Sequence, residues 1–282
     1  MHRTHSVRRL ALAAGALALT ACHDPAAPRL AAPDDVRGIQ GGSYAGNSYP
    51  SVGALLFDYD GNGTIDGTDE FCTGSLVAPE VFLTAGHCII TPWTSAGSQW
   101  YVSFAPDLYA RNIKVTAATG VVVDPQYEQG GTAQLHDLAL VFLPKGSTKG
   151  MTPLKLPPAG YLDALAAKGA LSKALFVNVG YGVAANRTGV PQFSFDGRKY
   201  TSKSEFMGLQ PTWLGLLMNA AATGEGGDCY GDSGGPKFLD GQPDMVLATV
   251  TTGDYPCRAT TWDWRLDSPE ARGFLGNYLT LP

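Results

Sequence analysis

Ser233 stands in Gly231-Asp232-Ser233-Gly234-Gly235-Pro236, a glycine-rich turn where neighbouring side chains cannot crowd the hydroxyl and backbone N–H groups can point one way. Such a turn can expose a nucleophile and build an oxyanion hole. A serine hydroxyl alone is a poor nucleophile and needs a base. Of the five histidines, His2, His5 and His23 belong to the leader region, which leaves His87 and His136. His87 closes the apolar run Leu83-Thr84-Ala85-Gly86-His87-Cys88, beside a cysteine that can pin it, and His136 precedes Asp137-Leu138-Ala139-Leu140-Val141. A histidine base in turn needs a buried acid to fix its tautomer and stabilise the imidazolium. Asp137, entering an apolar strand, is best placed to be that acid.

The elements that must hold these groups read as short strands. Val52–Phe57, Ser75–Val77, Val81–Thr84, Trp100–Phe104, Val121–Val123, Leu138–Leu143, Leu175–Val179 and Met245–Thr251 are β-branched or apolar runs divided by Gly, Pro, Asn and Asp clusters. They recur too closely for crossover helices between them. One helix is expected at the end, where Ser268 can cap, Pro269 suits the first helical position, and Ala271, Phe274, Leu275, Tyr278 and Leu279 recur at helical spacing. Composition agrees: 35 Gly and 19 Pro in 282 residues, with 16% charged, suit a turn-rich all-β chain. A net charge of -5 offers no broad basic face for nucleic acid or anionic lipid.

At these motifs the chain resembles the trypsin-like (chymotrypsin-family) serine endopeptidases, of a bacterial exported type. Thr84-Ala85-Gly86-His87-Cys88 resembles the family's Thr-Ala-Ala-His-Cys, with Gly86 its departure. His136-Asp137-Leu138-Ala139-Leu140 is similar to Asn-Asp-Ile-Ala-Leu, and Gly231 to Pro236 matches the nucleophile motif unchanged. The order His, Asp, Ser is also the family's. Gly180-Tyr181-Gly182 resembles the Gly-Trp-Gly turn that opens the second barrel, and Thr251-Thr252-Gly253 the substrate-pairing strand. The resemblance implies two six-stranded antiparallel β-barrels and a C-terminal helix, with the first barrel over 39–155 and the second over 156–282. It makes His87 the general base, Asp137 its orienting acid and Ser233 the nucleophile, with the N–H groups of Gly231 and Ser233 as oxyanion hole. No cofactor is then required for catalysis.

The same resemblance points to an activation pair. Ile39-Gln40-Gly41-Gly42 resembles Ile-Val-Gly-Gly, whose freed ammonium would pair with Asp232, although Gly38 rather than a basic residue precedes it. In the first specificity pocket, Gly227 takes the place of trypsin's floor aspartate. Asp228 follows and can supply the charge one residue along, unless Arg258 neutralises it; Thr251 and Gly253 would line the wall. A buried unpaired carboxylate is costly, so Asp228 either has a partner or meets a basic substrate side chain. Basic substrates are slightly favoured on this reading, with apolar ones close behind.

A separate pattern lies between the first strand and Phe71. Asp58, Asp60, Asn62 and Asp66 take the first, third, fifth and ninth positions of an EF-hand-like loop, Gly63 the sixth and Thr64 the seventh, while Asp69 falls at the twelfth. Alternating oxygen ligands around a sharp glycine turn suit Ca²⁺ in a structural role. The alternative is an acidic solvated hairpin.

Residues 1–21 read as an export signal: a basic start, an apolar run from Leu10 to Leu19 too short to span a bilayer, and small residues at its exit. Leu19-Thr20-Ala21-Cys22 resembles a lipobox, which would make Cys22 a lipid anchor and 22–38 a tether or propeptide. That lipidation accounts for the odd fifth cysteine. The other four favour the short pairings Cys72–Cys88 and Cys229–Cys257 among three connectivities, in an oxidising compartment. The expectation is an exported serine endopeptidase, at the outer membrane or cell surface as a lipoprotein, or else periplasmic or secreted, acting on proteins or peptides. Its rivals are an esterase or restricted processing protease on the same scaffold, and a calcium-dependent binding module or pseudoprotease of the same fold.

Overall fold

The computed structural model describes residues 38–94, 97–127, 134–186 and 189–282. The signal peptide (1–21), the Cys22 anchor and the tether through residue 37 lie outside the described residues.

Two antiparallel sheets follow one another along the chain. After the short β1 (Ser43–Tyr44) come β2 (Val52–Leu56), β3 (Glu70–Ala78), β4 (Val81–Thr84), β5 (Tyr101–Ser103), β6 (Val115–Ala117), β7 (Gly120–Val123) and β8 (Ala139–Phe142). The first sheet has the order β6-β5-β2-β3-β4-β8-β7. The second uses β9 (Leu175–Gly180), β12 (Tyr200–Leu209), β13 (Trp213–Leu217), β14 (Pro236–Leu239), β15 (Ala248–Gly253) and β16 (Thr260–Arg265), while β10 (Ala184–Ala185) and β11 (Phe193–Ser194) form a separate hairpin. Its order is β1-β12-β13-β16-β15-β14-β9, and β9 pairs back onto β12, so six strands close a barrel to which β1 adds an edge. Among the described residues there are four α-helices: α1 (Gly86–Ile89), α2 (Tyr161–Ala167), α3 (Ala220–Thr223) and α4 (Pro269–Leu275).

The all-β expectation holds, with one correction. No ladder joins the outer strands β6 and β7 of the first sheet, so it is not a second ladder-closed barrel of six. Instead the chain itself passes from one edge to the other at Ala118 and Thr119, whose N–H groups bond to Trp100 O and Phe142 O. A bent segment thus serves both edges, β6 against β5 and β7 against β8.

Three of the core clusters set the two sheets against one another. Leu55, Phe82, Val102 and Val141 fill the first sheet, and Phe176, Leu214, Leu216 and Leu247 the second barrel. Between them Val52, Leu83 and Leu140 meet Val179, Phe238, Trp264 and Phe274. This shared seam fixes one sheet against the other, and the site lies across it.

The C-terminal helix forms where its cap predicts. Ser268 Oγ accepts from Ala271 N–H, Pro269 follows, and Ala271, Phe274 and Leu275 are buried. It stops at Gly276, so Tyr278 and Leu279 lie beyond it. The stretch 200–223, where the sequence analysis places no strand, is mostly strand. On β12 the alternately buried residues are Tyr200, Ser202 and Ser204, so the period-2 signal is carried by serines that accept from Asn178 Nδ2 at 2.9 and 2.8 Å.

One ion cluster, buried at Arg265 and Asp267 and exposed at Asp163, ties the barrel to α2 and to the cap of α4. The Arg265 guanidinium, 1% exposed, donates to Asp267 at 2.9 and 3.0 Å and to Asp163 at 2.6 and 3.3 Å. Asp267 in turn accepts from Leu162 N–H, the start of α2. Removing one member of a buried pair strands the other charge. Arg265→Ala is therefore expected to destabilise the fold by about 3–5 kcal/mol, read as a lowered urea midpoint with an unchanged m-value.

Candidate active site

His87 enters from the first sheet. It lies in α1, directly after β4, and the Cys72–Cys88 disulfide ties the next residue to β3. Its ring Nδ1 is 2.8 Å from Asp137 Oδ2, and its backbone N–H donates to Asp137 Oδ1, also at 2.8 Å. Asp137 is fully buried just before β8, which pairs with β4 and so sets the spacing between base and acid. Burial works against the His87 imidazolium, but the charge and hydrogen bond of Asp137 outweigh it, and the pKa is raised. Gly86, the departure from the family motif, has a local cause: a Cβ there would lie 3.2 Å from the Tyr127 ring and 3.3 Å from Asp137 Oδ1.

His136, the other candidate base, does not share the cleft. Its Nδ1 faces buried Asp124 at 3.3 Å and its ring packs on Trp264.

Ser233 enters from the second barrel, on the turn before β14. Gly231 (φ 93°) and Gly234 (φ 77°) take left-handed backbone conformations that favour glycine. The Gly231 and Ser233 N–H groups have no partner among the described residues, so both can meet an oxyanion. Ser233 and His87 line one cleft of about 440 Å³. No hydrogen bond joins Ser233 Oγ to His87 among the described residues.

Thr73 on β3 joins the two halves. Its N–H donates to Ser233 O at 2.9 Å, its hydroxyl donates to Gly231 O at 2.9 Å, and the same Oγ1 accepts from Tyr181 N–H at 3.2 Å. Thr84 Oγ1 donates to Thr73 O. Sequence reasoning missed Thr73; its place directly after Cys72 was the available signal.

The substrate side of the cleft is built by Met218, Asp228, the Cys229–Cys257 disulfide, Val250, Thr251 and Gly253. Gly227 is not on its wall; a Cβ there would sit 2.1 Å from Met218 Cγ, so Met218 covers it. Arg258 does not neutralise Asp228. It binds Asn186 O at 2.7 Å and Gly189 O at 3.0 Å, while Asp228 is met by the fully buried Lys237. Lys237 Nζ also donates to Asn178 Oδ1 at 2.7 Å and lies 3.6 Å from Asp263 Oδ1. The signal for this cluster was a charge in strands that otherwise read as buried: Pro236-Lys237-Phe238 and Trp262-Asp263-Trp264.

Asp232 points away from the cleft, accepting from Gly182 N–H at 2.8 Å and Cys229 N–H at 2.9 Å. Burial, then the nearby Asp228 charge, holds its pKa well above the usual range. Ile39 is buried, and Gln40 bridges to Gly227. Gly38 abuts Gly182, where a Cβ would lie 3.0 Å from the carbonyl oxygen. Gly38 thus abuts the same Gly182 whose N–H donates to Asp232. Glu70, unnoticed in sequence, places a carboxylate beside Gly231; burial and then Asp232 raise its pKa well above the usual range.

In the acidic loop, Asp58, Asp60 and Asp69 bring carboxylate oxygens within 4.8 Å of one another. Asp66 instead caps the short 3-10 turn Gly67–Asp69 by accepting from Thr68, which lowers its pKa. Asn62 Oδ1 accepts from Thr64 N–H. The loop is flanked by strands β2 and β3, not by the helices of an EF-hand.

With this geometry established, comparison with known proteins places the chain. The trypsin family model matches residues 39–262, and the chain belongs to the trypsin family. Two glucanase inhibitor proteins of Phytophthora infestans are similar to it: number 4 is 30% identical over 74% of this chain and 78% of its own, number 3 is 31% identical over 67% and 70%. Three solved structures share the fold. Human heparin binding protein has TM-score 0.62 and 19% identity, covering 86% of this chain and 99% of its own. HL collagenase has 0.61 and 15%, covering 87% and 100%. Neuropsin, a serine protease of mouse brain, has 0.60 and 17%, covering 84% and 97%.

Burial, partly offset by Lys237, raises the Asp263 pKa from 3.8 to about 8. A carboxyl that binds its proton more tightly when folded favours the folded state below pH 3.8, and that stabilisation is lost as pH rises through about 8. Stability is thus expected to fall across that window. Asp263→Asn is expected to flatten the slope, measured as urea midpoint against pH; an unchanged slope would show that Asp263 does not titrate there.

Proposed function

We propose that this protein is a serine endopeptidase. The observation that carries the reading is the buried Asp137 holding His87 by two 2.8 Å contacts in the cleft that also presents Ser233. Ser233 Oγ attacks a substrate carbonyl while His87 Nε2 takes its proton, and the Gly231 and Ser233 N–H groups receive the oxyanion. His87 then returns the proton to the leaving amine, and water hydrolyses the acyl-enzyme by the same route.

Removal of residues 1–38 would free an ammonium at Ile39 to serve as a counter-charge for the buried Asp232 carboxylate. Export, with Cys22 lipidated or with a simple signal peptide, belongs to the same proposal. Both disulfides suit an oxidising compartment, and among the described residues no helix is long and apolar enough to cross a membrane. The lipobox belongs to bacterial export, whereas the named relatives come from Phytophthora infestans and lend that origin no support. The names of those relatives favour a second reading, a protein that uses this cleft to bind another protein without turnover.

A fluorophosphonate probe followed by intact mass separates the two. The expected result is one adduct on a chain beginning at Ile39, absent in Ser233→Ala. A chain beginning at Ile39 that takes no adduct would favour the binding reading. For peptide hydrolysis, Asp137→Asn is expected to lower kcat by about 10⁴-fold. Because His87 must be neutral to act and its pKa is raised, kcat/KM should rise with pH through a midpoint above 6.5.

Calcium at the 58–69 loop is a further part of the proposal, with a structural role. Asp58, Asp60 and Asp69 supply a hard-oxygen donor set, and Asp58 Oδ1 is buried without a hydrogen-bond partner. CaCl₂ is expected to raise Tm relative to EDTA, by the equivalent of about 2.7 kcal/mol at one hundred times Kd. Asp58→Asn with Asp60→Asn should abolish the rise; no rise in the unaltered chain would exclude the site.

A further inference from the structure

The specificity pocket has its own cation. Lys237 is fully buried beneath the cleft, and its ammonium has three N–H donors. Three acceptors surround it: Asp228, Asn178 Oδ1 at 2.7 Å and Asp263 Oδ1 at 3.6 Å. Asp228 is the carboxylate of this cluster that reaches the cleft wall, and it reaches it already ion-paired. Beside it stand the uncharged Met218, Val250, Thr251 and the Cys229–Cys257 disulfide, and the other carboxylate of the lining, Asp254, is taken up by the backbone N–H groups of Arg258, Ala259 and Thr260.

A substrate lysine or arginine entering this pocket would give up its hydration and find a carboxylate whose charge is already matched. It would also approach a second buried ammonium. The cost of desolvating the incoming cation would go largely unrecovered. An apolar side chain carries no such cost and meets thioether, methyl and disulfide surface.

We propose that Lys237 is a specificity-determining residue. It substitutes internally for the cation of a basic substrate, and so sets the pocket for an uncharged side chain of Leu, Met or Phe size on the acyl side of the scissile bond. This rests on the endopeptidase reading and reverses the slight sequence preference for basic substrates.

The test measures p-aminobenzamidine binding by fluorescence, which needs no turnover, together with hydrolysis of matched peptides bearing Leu, Phe, Lys or Arg at that position. The unaltered protein, activated at Ile39, is expected not to bind the amidinium at millimolar concentration and to favour Leu or Phe at least tenfold in kcat/KM. Lys237→Met is expected to bind it and to shift preference toward Lys and Arg. Because that variant strands buried carboxylates, Lys237→Met with Asp263→Asn is the companion that relieves one of them. Tight amidinium binding by the unaltered protein, or folded Lys237 variants that still exclude it, would overturn the proposal. If Ser233 takes no fluorophosphonate, the endopeptidase reading fails separately, and amidinium binding still reports on the pocket.

Discussion

The site depends on one contact across a seam. His87 and Asp137 belong to the first sheet and Ser233 to the second barrel, so their alignment can be no better than the join between them. Thr73 makes that join with both its backbone and its side chain, donating to Ser233 O and Gly231 O and accepting from Tyr181 N–H. Each partner lies in the second barrel or its turns, while Thr73 sits in the middle of β3. Gly234 allows the approach: a Cβ there would lie 2.3 Å from Thr84 Oγ1 and 2.6 Å from Thr73 O. The glycines of the nucleophile motif are thus a packing condition between sheets as much as a means of exposing the serine.

Much of the candidate site was legible because its residue types stand beside particular strand ends. His87 and Asp137 could be paired from sequence since each borders an apolar run, and those runs are the adjacent strands β4 and β8. Both disulfides followed from short separations and family resemblance. What escaped was carried by polar residues pointing inward. The second barrel buries Ser202, Ser204, Asn178, Lys237 and Asp263, and a polarity pattern assigns such residues to solvent. Strand β12 was missed for that reason. The first sheet's closure through a bend at Ala118 and Thr119, with no ladder there, left no periodic trace either.

The acidic loop and the nucleophile turn touch through Glu70. Its backbone begins β3 immediately after the 3-10 turn, and its carboxylate lies beside Gly231 with Oε1 unpartnered. Any ordering of the 58–69 loop therefore acts on the first residue of the strand that also carries Thr73. Structural stabilisation of the loop and geometry of the oxyanion turn share one rigid element. A metal at the loop would need no part in the chemistry to affect it.

Charge beneath the nucleophile turn is arranged on a different principle from charge at its face. At the face, Asp137 meets His87 through two short contacts on one residue. Beneath, Asp228, Asp232 and Asp263 share one lysine, so they cannot all be ionised at low cost in a water-poor interior. The upward shifts of Asp232 and Asp263 follow, since a proton supplies the missing positive charge. A new ammonium at Ile39 would replace such a proton at Asp232, whereas a basic substrate at the pocket would compete with Lys237 for Asp228. On the proposed reading, the same shortage of positive charge would favour an N-terminal cation on one side of the cluster, while Lys237 would pre-empt a substrate cation on the other.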